Sequence, residues 1–219
     1  MKKHYLFVLS FFIFNASIWA QQARFGVKAG LNVSNIDNND SFYDKNSNYR
    51  TSFHTGLFAE IPLSSKFSFQ PELLYSSIGK VDEYDLNYRS FDLEPLSADS
   101  FKLVQKRNYL AIPLTFRWFV GERFSINAGP QVSFLLNTVS KAKGDDLPES
   151  FNEVYKASGD FKLDYGAVLG VGYTINDNLN IGLQYYRGLK DLFGDSDFDI
   201  IDRKAYHSVF QLTASYSVF

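Results

Sequence analysis

Hydrophobic and polar residues alternate with a period of two along residues 110–136, the most regular stretch of the chain. A tight turn at residues 121–123 interrupts the alternation, and the same pattern resumes after it. This pattern predicts a β-hairpin in which each strand has one apolar face and one face of polar or small residues. Each strand would have more than about ten residues, which exceeds the ~5–6 usual in soluble proteins and suits the ~9–11 that cross a bilayer. The predicted apolar face consists of Leu110, Ile112, Leu114, Phe116, Trp118, Val120, Phe124, Ile126, Ala128, Val132, Phe134 and Leu136.

Further segments alternate in the same way, so the chain is predicted to form eight strands. They cover residues 25–34, 51–61, 67–77, 110–120, 124–136, 161–174, 179–187 and 206–218. Short connections at 62–66, 121–123 and 175–178 alternate strictly with long ones at 35–50, 79–107, 138–160 and 190–205. Bacterial outer-membrane barrels have short periplasmic turns and long extracellular loops. We therefore expect an all-β, eight-stranded antiparallel up-and-down transmembrane β-barrel in the outer membrane, with both termini in the periplasm.

Aromatic residues favour the membrane barrel over a soluble one. Phe67, Trp118 and Phe124 flank the predicted short turns, whereas Tyr75 and Tyr185 lie toward the long loops. Two rings of aromatic residues around the barrel, called girdles and about one membrane thickness apart, are typical of membrane barrels. The alternative is a soluble, lipocalin-like periplasmic binding barrel, which would bury its apolar face and expose its polar face to water.

The N-terminal residues predict a secretory signal peptide. Lys2 and Lys3 provide a positive start, residues 5–18 provide an apolar run, and Ala20 provides a small residue before cleavage. The apolar run is shorter than the ~20 residues that a spanning helix needs. We therefore predict a signal peptide at residues 1–20 and a single barrel domain at residues 21–219.

Composition narrows the chemistry that the chain can carry. The formal net charge is −2, which gives no reason to expect a nucleic-acid partner. The chain has no cysteine, so it has neither a disulfide framework nor a thiolate metal site. We expect no cofactor and no metal, and outer-membrane lipid as the surrounding partner.

Five segments, in their order and spacing, are similar to those of a known family. They are FGVKAGLNVS at residues 25–34, YLAIPLTFRW at 109–118, GPQVSFLL at 129–136, DYGAVLGVGY at 164–173 and LQYYRGLKDL at 183–192. The chain resembles the PorT-like outer-membrane β-barrel domain family, small "porin family" barrels of Gram-negative bacteria. The resemblance implies an eight-stranded barrel and implies little about activity. Because the namesake is linked to a protein secretion system, it also suggests a part in envelope assembly or secretion.

The C-terminal strand is the expected contact with the outer-membrane barrel-assembly machinery. Barrel proteins often end in an aromatic residue that this machinery recognises, and Phe219 provides one. The outward-facing residues of the last strand nevertheless include Phe210 and Val218, so Phe219, one residue later, is predicted to face the opposite way.

Polar residues on the inward faces of the strands form the candidate site. Eight strands leave an interior that side chains nearly fill, and buried charges must be paired. We therefore predict a polar plug of ion pairs that holds the barrel shape. The alternative is a proton or small-ion path, which would make the protein a narrow ion channel. The candidate lumen cluster is Lys28, Glu60, Glu72, Arg117, Gln131 and Asp164, with Gln70, Lys162 and Gln184 also inward.

Two histidines raise the question of catalysis. His54 and His207 are predicted to point inward near the loop end, with rings about 10 Å apart because one strand separates theirs. Some outer-membrane barrels of this size are lipid-modifying enzymes that use Ser and His, a chemistry that needs a Ser–His hydrogen bond and an orienting acid. Ser34, Ser52 and Ser208 are expected nearby, but their spacing does not demand such a bond. We assign no catalytic residue and expect the protein not to be an enzyme.

The last long loop is acidic but does not match a calcium-binding loop. Such a loop needs Gly at its sixth position and Glu at its twelfth, and the chain has Ile200 and Tyr206 there. We therefore predict a solvated acidic loop. Its acidic residues are Asp195, Asp197, Asp199 and Asp202.

The long loops are the predicted working surface. The longest, residues 79–107, mixes charged residues with apolar ones, which predicts either packing on the rim or a protein partner. The leading hypothesis is a structural or interaction barrel of the outer membrane, which includes a part in envelope assembly or protein secretion. The alternatives are an outer-membrane lipid-modifying enzyme, a narrow ion channel and the soluble lipocalin-like barrel.

Overall fold

The computed structural model describes residues 23–38, 47–85, 100–144, 154–192 and 204–218. They form β1 (Arg24–Asn38), β2 (Ser47–Pro62), β3 (Phe67–Asp85), β4 (Ser100–Val120), β5 (Phe124–Lys143), β6 (Tyr155–Thr174), β7 (Leu179–Gly188) and β8 (Ala205–Ser217). Each strand pairs antiparallel with its neighbour in sequence, and β8 pairs with β1 to close the barrel. The predicted eight-stranded up-and-down barrel is confirmed. The predicted signal peptide, residues 1–20, lies outside the described residues.

Outward-facing side chains are apolar and inward-facing ones are polar or small, as β6 illustrates. Leu163, Leu169 and Val171 are 46%, 60% and 51% exposed. Asp164 and Gly170, which alternate with them, are buried. Because exposing apolar surface to water costs ~25 cal/mol per Å², such a face is stable only against lipid. A lipocalin-like barrel requires the reverse arrangement, so this alternative is wrong.

The apolar band has the height of a membrane. On β4, outward apolar residues run from Val120 to Leu110. At ~3.3 Å per residue and a tilt of about 40°, this is a band ~25 Å tall, as outer-membrane barrels have. Among the described residues, no helix is long and apolar enough to cross a membrane.

Aromatic pairs flank the band at both ends. At the short-turn end, the ring centroids of Phe67 and Trp118 are 6.3 Å apart and those of Phe124 and Tyr173 are 5.0 Å apart. At the long-loop end, Phe53 and Tyr75 are 5.8 Å apart and Tyr185 and Phe210 are 4.8 Å apart. These contacts join neighbouring strands, so each girdle also stabilises the sheet.

Four strands continue far beyond the band. The prediction of loops at residues 79–107 and 138–160 was partly wrong, because β3 and β4 remain paired up to Asp85 and Ser100. Similarly, β5 continues to Lys143 and β6 begins at Tyr155. We call these parts the sheet extension, defined as residues 79–85, 100–108, 137–143 and 155–160. The prediction failed because both faces of this sheet carry polar residues, so alternation no longer marks a strand there.

Irregular pairing marks the base of the sheet extension. Asn108 of β4 is opposite Asn137 of β5, whereas Tyr109 is opposite Leu135, so Leu136 is an extra residue in β5. The pairing of β5 with β6 also shifts between Leu135 and Asn137, whereas β4 alternates without interruption along β3. In β6, Asp160 and Phe161 have φ angles of 47° and 51°, which residues other than glycine rarely adopt. Such bulges change the face that the following residues occupy. Leu135 packs inward, whereas Asn137 faces outward and its Oδ1 accepts a hydrogen bond of 2.7 Å from Asn108 Nδ2.

Replacing Leu169 by Arg should lower the free energy of unfolding by about 2–4 kcal/mol, because the charge would face lipid near the middle of the band. The matched control is Tyr155→Arg, since Tyr155 is 69% exposed but lies outside the band. This variant should change stability by less than about 0.5 kcal/mol. Denaturant titration of protein folded into phospholipid vesicles measures both, and equal costs would contradict a lipid-facing band.

Candidate functional site

An ion pair between β1 and β3 lies inside the barrel. Lys28 Nζ donates to Glu72 Oε2 at 2.8 Å and to Glu72 Oε1 at 2.9 Å. It also donates to Gln184 Oε1 at 3.1 Å. Lys28 and Glu72 are only 2% and 4% exposed, so neither charge is solvated. The pair is stable there because each charge meets its opposite together with a further hydrogen bond.

Arg117 extends this pair into a network. Its guanidinium donates to Glu60 Oε2 at 3.1 Å, to Gln70 Oε1 at 2.9 Å and to Ser125 Oγ at 3.1 Å. Gln70 Nε2 donates to Glu72 Oε1 at 2.6 Å, which connects Arg117 to the Lys28–Glu72 pair. The two positive and two negative charges therefore cancel within one hydrogen-bonded cluster. We call it the ionic cluster, and because it joins several strands, it resists any change of barrel shape.

A layer of neutral polar groups lies next to the ionic cluster. Asn32 Oδ1 is 2.8 Å from His54 Nδ1 and accepts a hydrogen bond of 3.0 Å from Gln211 Nε2. Asn32 Nδ2 donates to Ser76 Oγ at 3.1 Å. The alternation along β1 placed Asn32 on the inward face, but nothing in the sequence indicated that it joins four strands.

Gln131 and Asp164 lie apart from the other four residues of the predicted cluster. Gln131 Nε2 donates to Ser133 Oγ at 3.1 Å. Asp164 Oδ2 is 3.5 Å from His207 Nε2, which is 3.1 Å from Tyr109 Oη. The structure thus divides the predicted site between two regions of the lumen. Lys162, which was also predicted to be inward, is exposed instead. Around the second region lies an apolar cluster that the sequence did not reveal, formed by Ile78, Tyr109, Val168, Tyr186 and Val209.

The lumen opens at the short-turn end. A vestibule of about 540 Å³ there is lined by charged residues that include Arg24, Glu60, Arg117, Glu122 and Asp177. Further inside, the cavity beside Lys28 and the cavity beside Asp164 each measure about 10 Å³. A volume of this size holds about one water molecule.

The two histidines do not form a shared site. On β1, His54 is opposite Gly30 and His207 is opposite Ile36, so their positions are about 20 Å apart along this strand at ~3.3 Å per residue. The expected separation of about 10 Å was wrong, because alternation gives the face of a residue but not its height. Both rings are buried, at 1% and 0% exposure.

The nearby serines bond elsewhere. Ser34 Oγ donates to Gly79 O at 2.9 Å, and Ser52 Oγ donates to Ser77 O at 2.6 Å. Ser208 Oγ is 3.1 Å from Tyr185 Oη. Within the described part of the chain, no group of three or more His, Cys, Asp or Glu residues is placed to hold a metal ion. The acidic loop with Asp195, Asp197, Asp199 and Asp202, and the terminal Phe219, lie outside the described residues.

A family model, the outer membrane protein beta-barrel domain, matches residues 19–194 of the chain. A comparison with curated proteins gives no match. Among solved structures, the chain is similar to the attachment invasion locus protein Ail of Yersinia pestis, with 12% identity, a TM-score of 0.48 and coverage of 89% of this chain and 98% of that one. It is also similar to Neisserial surface protein A, with 13% identity, a TM-score of 0.43 and coverage of 88% and 96%. The outer membrane protease OmpT of Escherichia coli shows 11% identity, a TM-score of 0.42 and coverage of 89% and 95%.

Replacing Lys28 by Met should lower the free energy of unfolding by about 3–5 kcal/mol, because Glu72 would remain buried without its cation. The double variant Lys28→Met with Glu72→Gln should recover most of this loss, since no unpaired charge remains. Denaturant titration in vesicles gives both values. If the single variant were no less stable than the double one, the pair would not be a buried structural contact.

Proposed function

Because this chain belongs to the outer membrane protein β-barrel domain family, we propose that it is an integral outer-membrane barrel with a non-enzymatic, structural or interaction role. In this role the barrel is a closed stem, and the sheet extension is the working surface outside the cell. The proposal rests on one observation. Pairing of β3 with β4 continues from Phe67–Trp118 to Asp85–Ser100, far beyond the outward apolar band.

The orientation that we propose places both termini in the periplasm. Arg24 and Ser217 lie at the same end as the short connections after β2, β4 and β6. Outer-membrane barrels have their short turns on the periplasmic side, which supports this orientation. The sheet extension is then extracellular, and the C-terminal strand β8 is accessible to the barrel-assembly machinery from the periplasm.

Among the residues that the structure describes, none pairs with the outer part of the β6 edge, and this supports a protein partner for the sheet extension. The described pairing of β7 with β6 starts only at Gly166. Beyond Gly166, Lys190 Nζ donates a hydrogen bond to Leu163 O and so covers the edge of β6 up to that residue. The remaining edge carries Tyr155 at 69% exposure next to Val154 at 44%. An unpaired strand with exposed apolar side chains is a surface that a partner strand or peptide can cover.

The filled lumen argues against a channel, and the buried histidines argue against a hydrolytic enzyme. Ions would have to pass the Lys28–Glu72 pair, beside which the described cavity holds about one water molecule. They would then have to pass the apolar cluster, where the described cavity beside Asp164 also holds about one. His207 is fully buried and can therefore not meet a lipid substrate without rearrangement. A part in envelope assembly or secretion, which the PorT-like resemblance suggests, is compatible with a closed stem and belongs to this proposal.

Photo-crosslinking on intact cells tests the working surface. With p-benzoylphenylalanine in place of Tyr155, we expect a protein adduct of one defined mass. The matched control is Phe124, which is 60% exposed but lies in the lipid-facing band near a short turn, and it should give no such adduct. Absence of an adduct at Tyr155, or the same adduct at both positions, would contradict an interaction role for the sheet extension.

Planar bilayer recordings test the closed lumen. Folded protein, identified by its different gel mobility before and after boiling, should produce no discrete current steps. The reason is that the ionic cluster and the apolar cluster both fill the lumen. Reproducible steps from such protein would favour the channel alternative over the proposed role.

A further inference from the structure

Five lysines share the outer face of the sheet extension. On β4, the residues in phase with the outward-facing Leu110 are Asn108, Lys106, Val104 and Lys102, because Tyr109 between them packs in the lumen core. The register then gives the residues of β5 and β6 that share this face. They are Lys141 and Lys143 on β5, opposite Val104 and Lys102, and Lys156 on β6, opposite Val139.

Two of these lysines face each other directly. Lys102 is the cross-strand partner of Lys143, and such partners have Cβ atoms about 4.5–5.5 Å apart. Like charges in this position destabilise a sheet. Glu83 reaches Lys102 at 3.1 Å, but both side chains are largely exposed, at 40% and 53%. Within the described residues, no ion pair involves the other four lysines of this face.

A second group lies closer to the lipid. Lys106 and Lys156 flank Val139 from its two sides, so they occupy one level of the sheet about 10 Å apart, at ~4.8 Å per strand. Lys141 follows on the same face, two residues beyond Val139. Cations at these spacings match a ligand that carries more than one phosphate group, because each phosphate can accept hydrogen bonds from two ammonium groups.

The position of the lysines relative to the band decides between possible ligands. Leu110 marks the edge of the apolar band on β4. Lys106, four residues farther out, lies about 10 Å above this edge, and Lys102, eight residues farther out, lies about 20 Å above it. A polar headgroup layer adds only about 5–8 Å on each side of a bilayer. Lysine side chains can extend toward the membrane, but the upper lysines still lie higher than a phospholipid headgroup. A larger phosphorylated sugar headgroup covers the whole height.

We propose that the outer face of the sheet extension binds the phosphate groups of an outer-leaflet glycolipid, with Lys102 and Lys143 around one group and Lys106, Lys141 and Lys156 around another. The proposal rests on the orientation given above, in which the sheet extension is extracellular. The continuity of the face with the lipid-facing surface of β4 favours a lipid over a soluble polyanion. Bound phosphate would also relieve the repulsion between Lys102 and Lys143.

Binding in neutral detergent micelles tests the ligand without depending on orientation. The probe is a lipopolysaccharide with phosphate groups on both its lipid A and its core sugars, compared with the same lipid after phosphate removal. Lys102→Gln with Lys143→Gln should weaken binding of the phosphorylated form about tenfold or more, and wild type should lose a similar factor when the phosphates are removed. The matched control, Lys66→Gln with Lys162→Gln, removes two exposed charges elsewhere and should bind like wild type.

Other results would overturn the proposal. If the double variant Lys102→Gln with Lys143→Gln is folded, as judged by its different gel mobility before and after boiling, and still binds the phosphorylated lipid like wild type, these lysines are not part of the binding site. Equal affinity for both lipids, together with lysine-dependent binding of a soluble heparin fragment, would assign the face to a soluble polyanion instead.

Surface labelling separates a failure of this proposal from a failure of the proposed orientation. The chain has no cysteine, so Lys102→Cys introduces a single thiol. We expect an impermeant maleimide to label it on intact cells. Labelling only after the outer membrane is opened would reverse the orientation and overturn the outer-leaflet assignment, even if binding of the lipopolysaccharide in micelles were lysine-dependent.

Discussion

A chain that crosses lipid must satisfy every backbone N–H and C=O group within the hydrocarbon, and the rest of this structure depends on that constraint. Pairing of β8 with β1 closes the hydrogen-bonded ladder around the membrane band. Closure with eight strands leaves a narrow lumen, so inward side chains must fill it and satisfy one another. Lys28 and Arg117 are therefore paired with Glu72 and Glu60 instead of being solvated. The ladder that permits the fold thus also removes the space that an open pore would need.

Alternation predicted the barrel well because lipid and lumen impose opposite chemistry on successive residues. Where both faces of a strand meet water, this opposition disappears. In β3, Lys80, Asp82 and Glu83 are all charged, so the sequence resembles a loop although pairing continues to Asp85. The heights of His54 and His207 could not be predicted for a related reason. The position of a residue along the barrel depends on the pairing register between neighbouring strands, and a single strand's sequence does not specify that register.

The inward phase of the candidate residues could be predicted, but their partners could not. Lys28 meets Glu72 across 44 positions of sequence, and Asn32 meets Gln211 across 179. Such contacts depend on the stagger of the closed barrel, which no local pattern encodes. The sequence also gave no sign that Tyr109 belongs to an apolar cluster inside a lumen expected to be polar. That cluster lines the same small cavity as Gln131 and Asp164, apart from the ionic network.

The sheet extension shows what becomes possible once the barrel is closed. A small solvated sheet has little stability alone, but here the strands leave the membrane band with their register already set. Its inner face still holds the ion pair between Lys80 and Asp82. The side chains of its outer face meet neither lipid nor lumen, so apolar packing does not dictate their identity. Five lysines on one face, with Lys102 opposite Lys143, make the sheet less stable than a mixed surface would. A feature that opposes folding at a site free of folding constraints points to a ligand, and the sign of its charge points to an anion.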